Sequence, residues 1–189
     1  MLVKEKKLVE KFFKGTEAAQ KMAVNGGRFD LVTEHEGKYL LVDGFRVLIF
    51  TENPDLPIGG NVINYFNQDN DADFQDSSGN FVELEIPYTV EHIKKWWKWA
   101  KPRKMPFSLG VAGNFYRGEK YIGINGQFLI EAMELTKSNV IQFTNGGKMR
   151  IKSDDGRFTY IIMPVIENTE KPEINKVEHN MTYIEELRL

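Results

Sequence analysis

Apolar residues recur at helical spacing in the first 24 positions. Leu8, Phe12 and Phe13 share one face, and Ala18, Ala19 and Met22 repeat the pattern beyond Gly15. This predicts one or two short helices over 2–24, after a brief strand. Asn25-Gly26-Gly27 marks a turn. Phe29 to Glu34, a turn at Glu36-Gly37 and Tyr39 to Asp43 predict a hairpin. Phe45 to Thr51 reads as a further strand after Gly44, ended by Pro54-Asp55-Leu56-Pro57. Residues 57–80 are polar and rich in turn formers. Phe81 to Ile86 reads as a strand, and Thr89 as the N-cap of a helix from Val90 to Ala100.

The last third has the most regular pattern. Tyr121 to Ile124 predicts a strand, and Asn125 caps a helix with apolar Phe128, Leu129, Met133 and Leu135. Strands follow at 139–144, 148–152 and 158–165, separated by turns at Asn145-Gly146-Gly147 and Asp154-Asp155-Gly156. The order is β-α-β-β-β. A similar order, a helix and then three strands, runs through 2–51. The fold class is therefore α+β: two β-α-β-β-β half-units with their helices on one face of an antiparallel sheet, plus an inserted segment. The first half-unit is 2–51, the insertion 52–115, the second half-unit 116–165 and a C-terminal extension 166–189.

Composition narrows the function classes. A chain of 189 residues can bury a sizeable core, and 41% hydrophobic with 28% charged residues excludes a largely disordered chain. The formal net charge is −2, so no global basicity marks a nucleic-acid binder. One basic face remains compatible with that total. The absence of cysteine excludes disulfides, thiolate zinc sites and a Cys nucleophile, and fits a reducing compartment. No apolar run reaches the length of a membrane span, and Met1 to Lys7 does not resemble a signal peptide. These features predict a cytoplasmic protein with no membrane partner.

No catalytic constellation stands out. His35, His92 and His179 lack metal-ligand spacing, and the glycine pairs belong to no phosphate-binding loop. No metal or cofactor is expected. Asp69, Asp71, Asp73 and Asp76 superficially resemble a calcium loop, but Phe74 and Asn80 stand where such a loop needs Gly and Glu. A solvated loop is the plainer reading.

The most unusual stretch is Glu91 to Lys104. It holds six basic residues and one acid around three tryptophans. On a helix, Ile93, Trp96, Trp97 and Ala100 line one face. Three readings stay open: Lys and Arg on phosphates with a stacked Trp; a basic amphipathic helix on a membrane or partner; or tryptophans packed in the core with lysines in water.

Three stretches, Tyr121 to Met133, Lys148 to Ser153 and Thr159 to Val165, resemble the last half-domain of bacterial DNA sliding clamps, the β subunit of the replicative polymerase. Upstream, Leu41-Val42-Asp43-Gly44-Phe45-Arg46-Val47 resembles that family's Thr-Asp-Gly-His-Arg-Leu turn, with Val42 in place of the Thr and Phe45 in place of the His. The resemblance implies a domain of two half-units whose helices line the hole of a ring. Family members carry three such domains in each of two subunits, so a ring of this chain would need about six copies or another partner.

The resemblance also implies sites. A groove for the Leu/Phe peptides of polymerases and other partners would involve Gly44, Arg46, Val47, Ile161, Met163 and Pro164. In the family its two elements come from adjacent domains. Double-stranded DNA would meet the basic residues Lys11, Lys14, Lys94, Lys95, Lys98, Lys101, Arg103 and Lys104. The N-terminal helix also offers Lys6, Lys7 and Lys21, whereas the helix of 127–136 offers Glu131 and Glu134, leaving the inner face half basic. Clamps end soon after Met-Pro, but this chain continues for 24 residues, with Leu187 and Leu189 as candidate anchors.

The expected function is a non-enzymatic DNA replication processivity factor that self-associates and binds DNA and polymerase peptides, of phage or mobile-element origin. The alternative is a clamp-fold protein-binding module that forms no ring and regulates or competes with a host clamp or polymerase. An enzyme or ligand-binding protein on this fold is the third reading.

Overall fold

A computed structural model describes residues 1–22, 26–112, 119–164 and 166–168. Helix α1 spans Val3–Met22 without interruption. No strand precedes it, so the first half-unit is α-β-β-β, correcting the expected leading strand and paired short helices. Gly15 sits where the chain of Asp43 and Arg46 comes close; a Cβ there would lie 3.4 Å from the Arg46 guanidinium. The buried residues Glu5, Val9, Phe12, Thr16 and Ala19 step by four and three, the period that keeps one stripe inward.

Strands β1 (Thr33–His35), β2 (Lys38–Val42) and β3 (Arg46–Phe50) follow as an antiparallel meander. Then come β4 (Glu83–Glu85), α2 (Val90–Ala100), β5 (Phe107–Ala112), β6 (Glu119–Ile124) and α3 (Gly126–Thr136). Strands β7 (Val140–Phe143), β8 (Met149–Lys152), β9 (Phe158–Ile162) and β10 (Ile166–Asn168) complete the described elements. The Thr89 hydroxyl accepts from His92 N at 3.3 Å, and Asn125 Oδ1 accepts from Gln127 N at 2.9 Å, so both capping residues start their helices as expected.

The seven-stranded sheet runs β1-β2-β3-β9-β8-β7-β4. At its centre, β3 and β9 pair antiparallel from Arg46↔Ile162 to Phe50↔Phe158. Three strands of each half-unit fan out from that seam, and β4, from the insertion, adds to β7. Strand β6 does not join this sheet. It pairs with β5 and β10 in a separate three-stranded sheet, so the second half-unit is split between two sheets. Strand β5 lies within the segment read as insertion and was not expected.

The two faces of the large sheet are covered differently. One carries Leu41, Leu48, Phe50, Met149, Ile151, Phe158, Tyr160 and Ile162, packed with residues of α1, α2 and α3 in one cluster. The opposite face carries Leu40, Val42, Val47, Ile49 and Ile161, packed with Phe29, Val62, Tyr65 and Phe66. Residues 57–80 are therefore not a solvated loop. They form a strap of two 3-10 turns, Ile63–Asp69 and Asp71–Phe74, across the outer face. Phe74 is fully buried.

Among the described residues, no helix is long and apolar enough to cross a membrane. Most of the extension, including Leu187 and Leu189, lies outside the described residues.

Candidate nucleic-acid and partner interfaces

The face of α1 opposite its buried stripe carries Lys4, Lys7, Lys11, Lys14 and Lys21, all exposed. Their spacing of three and four, broken only at Ala18, makes one lysine row about 25 Å long at 1.5 Å per residue. Lys6 falls beside the row and pairs with Asp55 at 3.0 Å. Sequence reading singled out Lys11 and Lys14. Lys7 and Lys21, also noted in the sequence, fall on the same face, and the continuous helix adds Lys4, a signal that was available in the spacing.

Helix α2 settles the tryptophan question. Trp96 is fully buried and meets Phe107 edge-on at 5.0 Å between ring centroids. Trp97 lies against the first turn of α3, where a Cβ on Gly126 would come within 2.6 Å of its ring. Trp99 is half-buried under the Arg103 guanidinium, 4.6 Å from the ring centroid. The tryptophans are packing residues. Lys95, Lys98, Lys101, Arg103 and Lys104 are exposed.

The two glutamates of α3 do not face outward as free acids. Glu131 is buried and bonds Arg46 Nη1 at 2.6 Å and Lys11 Nζ at 2.6 Å. Glu134 bonds Lys94 Nζ at 2.6 Å. Hydrogen bonds to Glu134 and Glu91 raise the Lys94 pKa. Each acid ties α3 to a neighbouring element, α1 and the sheet for Glu131 and α2 for Glu134. Of the two acids expected on the inner face, Glu131 is buried and Glu134 is half-buried, each paired with a lysine.

Arg46 is the hub of this layer. Its Nε and Nη2 donate to Asp43 Oδ2 at 2.7 and 2.5 Å, and Nη1 donates to Glu131 and to the Tyr160 hydroxyl at 2.8 Å. The guanidinium sits between the rings of Phe12 and Phe128, 4.4 and 4.0 Å from their centroids. Burial alone would lower its pKa, but the oxygens of Tyr160, Asp43 and Glu131 outweigh this and raise it. Burial also holds the Tyr160 phenol protonated, its pKa well above the ordinary value.

The six residues expected to wall a peptide groove are not gathered in one. Arg46 and Val47 are adjacent on β3, so their side chains leave opposite faces of the sheet. Arg46 enters the helical layer. Val47 pairs in register with Ile161, and both are buried beneath the strap. Gly44 is exposed with φ +85°, and Met163 and Pro164 are half-buried. Met163 N donates to Phe45 O at 2.9 Å, beside the exposed Phe45 side chain.

The aspartates of the strap face cations on β8. Asp69 and Asp71 bond Arg150 Nη1 at 2.8 and 2.7 Å and Lys152 Nζ at 3.1 Å each; Asp73 lies 3.7 Å from Lys148 Nζ. Arg150 also stacks on Phe74, 3.9 Å from its centroid. Burial lowers the Lys148 pKa against the pull of Asp73. Among the described residues, no group of three His, Cys, Asp or Glu side chains is arranged to hold a metal ion.

No protein-family model and no curated protein matches the chain. Among solved structures, it is similar to a crystal structure described as a "putative DNA polymerase III beta subunit" from Eubacterium rectale ATCC 33656. Identity is 15% and the TM-score 0.36, over 68% of this chain and 41% of that one. The chain thus spans well under two thirds of that structure's length.

Proposed function

We propose that this chain is a non-enzymatic, clamp-like protein of DNA replication that lays its helical layer against duplex DNA. The observation that carries the reading is the lysine row on α1, supplemented by the exposed cations of α2 and its following turn. The clamp-like motifs and the two helix-then-three-strand units are in keeping with it. A row of fixed lysines neutralises phosphates without reading bases, which suits a protein that must follow any sequence.

One observation favours the reading without a ring. The segment between β3 and β5 lies along both ends of the large sheet. Gly59 N and Gly60 N donate to Val32 O beside β1, and β4 pairs with β7. Sheets extend between copies through free edges, and here the sheet ends in β1 and β4, strands of only 3 residues each. The chain is thus proposed to act as a monomer on DNA, holding a polymerase or another partner.

The test is duplex binding by fluorescence anisotropy across a salt series, with the mass of the free protein taken by light scattering. Replacing Lys7, Lys14 and Lys21 by Gln should weaken binding and reduce the slope of log K against log salt by about 2.7, at about 0.9 per phosphate contact. Lys11 is left intact because it bonds Glu131. Unchanged affinity and slope would sink the duplex reading. A stable assembly of several chains would restore the ring.

A further inference from the structure

The strap is attached differently at its ends and along its middle. Its ends are held by backbone: Val32 N donates to Pro57 O at one end, and Val82 N donates to Phe74 O at the other. Between Ile63 and Asp73 the backbone N–H groups bond only within the strap, as Tyr65 N to Val62 O and Asp73 N to Asn70 O. Everything else that holds this stretch down comes from side chains. Val62 is buried, while Tyr65 and Phe66 are half-buried over Leu40, Val42, Val47, Ile49 and Ile161. Lys148 and Arg150 donate to the Gln68 and Asp69 carbonyls, and the β8 cations bond the three aspartates.

The strap also fills its site incompletely. Ile58 and Ile63 remain exposed, at 47% and 45%. A cleft of about 430 Å³ stays open between Ala72, Asp73 and Gln75 on one side and Asn145 and Lys148 on the other. Gly59 and Gly60 form the near end. A Cβ on Gly60 would lie 2.4 Å from Thr33 Oγ1 and 2.9 Å from Leu31 O, so only glycine lets the chain turn there.

We infer that residues 62–73 are a resident occupant of a docking face on the outer side of the sheet, and that the partner they exclude is an acidic, aromatic peptide of another protein. The face itself specifies the ligand. Its apolar half takes one aliphatic side chain and two aromatics, the places now held by Val62, Tyr65 and Phe66. Its cationic half, Lys148, Arg150 and Lys152 at every second position of β8, takes carboxylates. The strap supplies them at Asp69, Asp71 and Asp73. A peptide with an aliphatic residue, an aromatic pair three and four residues on and an acidic tail matches both halves, and competes with the strap for them. Displacement breaks no sheet ladder: it replaces the contacts of Val62 and two half-exposed rings, and the carboxylates that neutralise the buried Arg150 are supplied anew by the acidic peptide. The inference rests on the clamp-like reading only for the idea that partners are held by short peptides; it does not use the duplex-binding face.

The experiment uses the full chain and a fluorescein-labelled peptide of residues 61–74 as the probe. Two variants free the face by different routes. Asp69→Asn with Asp71→Asn and Asp73→Asn removes the ionic anchors, and Val62→Ser with Phe66→Ser removes the apolar ones. Amide exchange reports whether β3 and β9 stay protected while 63–73 loosens. Both variants should bind the probe at least tenfold more tightly than the parent chain, and a probe with its three aspartates changed to Asn should lose that gain. Failure of both folded variants to bind would overturn the inference. So would tighter binding of a single-stranded oligonucleotide than of the peptide to the anchor-free variant, which would make the cations a nucleic-acid site. Should one variant lose protection in β3 and β9, the other decides. Duplex binding through α1 is measured in the same samples, and its persistence separates failure here from failure of the duplex reading.

Discussion

The same strands present one face to three helices and the other to a strap, and the two coverings hold by different means. On the helical side, α1, α2 and α3 pack with the sheet in one apolar cluster, and the charged cluster around Arg46 is closed on itself. On the outer side, Val62 is the one strap residue fully buried in the apolar patch, and Phe74 stacked on Arg150 and the ion pairs of the β8 cations supply the rest. The contrast separates a rigid face from one that can exchange its cover. It also separates two uses of charge. The helical layer buries Glu5 and Glu131 and leaves a lysine row outside, whereas the outer face neutralises its own cations with aspartates. A polyanion thus meets on one side an exposed lysine row in which Lys11 bonds Glu131, and on the other a cation row that the strap occupies.

The largest break in that contrast is expected at Arg46. Arg46→Ala leaves the carboxylates of Asp43 and Glu131 without their shared guanidinium in a buried layer. Loss of one partner of a buried charge cluster costs about 3–5 kcal/mol. Urea denaturation should show that loss with little change in slope. A loss below about 1 kcal/mol would mean that water already solvates the cluster, as it does surface pairs. The outer face should respond less. Val62→Ala removes two methyl groups from the strap's buried anchor in the apolar patch, a loss of about 1–2 kcal/mol at about 0.8 kcal/mol per buried methylene-sized group. Amide exchange should show the change confined to 57–74. A global destabilisation equal to that of Arg46→Ala would abolish the distinction between the faces.

How much of this was legible in the sequence follows from which signals are local. The helix at 126–136 with its Asn125 cap and the β7-β8-β9 meander with its turns are set by neighbours in the chain, and they were readable. So was the helical period of α1, though Gly15 suggested a break where close packing against Arg46 accounts for it. The strap was not readable, because the i, i+3, i+4 spacing of Val62, Tyr65 and Phe66 sits in a polar segment that forms only a 3-10 turn, and their partners lie on strands 13 to 99 residues away. The placing of Arg46 failed for a related reason. All five residues of β3 are buried, so alternation does not reveal which face is inner until both covers are known. Strand β6 was found, but its pairing with β5 and β10 was not, although Phe107, Leu109 and Val111 alternate along the sequence as a strand would. The tryptophans of α2 could be placed only once Gly126 and Phe107 were seen against them.

The smallest expected effect tests the ionic half of the strap. In the folded chain, burial would raise the Asp71 pKa, but hydrogen bonds from Lys152 and Arg150 outweigh it and the net shift is downward. A carboxylate whose pKa is depressed on folding contributes stability that is fully present above its unfolded pKa, near 3.9, and lost as pH falls through the folded value. Asp71→Asn lacks this titration. At pH 7 the parent chain should therefore exceed the variant by less than about 1 kcal/mol, since the Asp71 side chain is 58% exposed and the pair is screened. Melting curves of the two should converge as pH drops below about 4. They should also converge at neutral pH as salt is raised, because the Debye length shrinks to about 3 Å at 1 M. Convergence with acid but not with salt would mean that Asp71 is held by hydrogen-bond geometry to Arg150, and the strap would then be fastened more like the helices than like a cover.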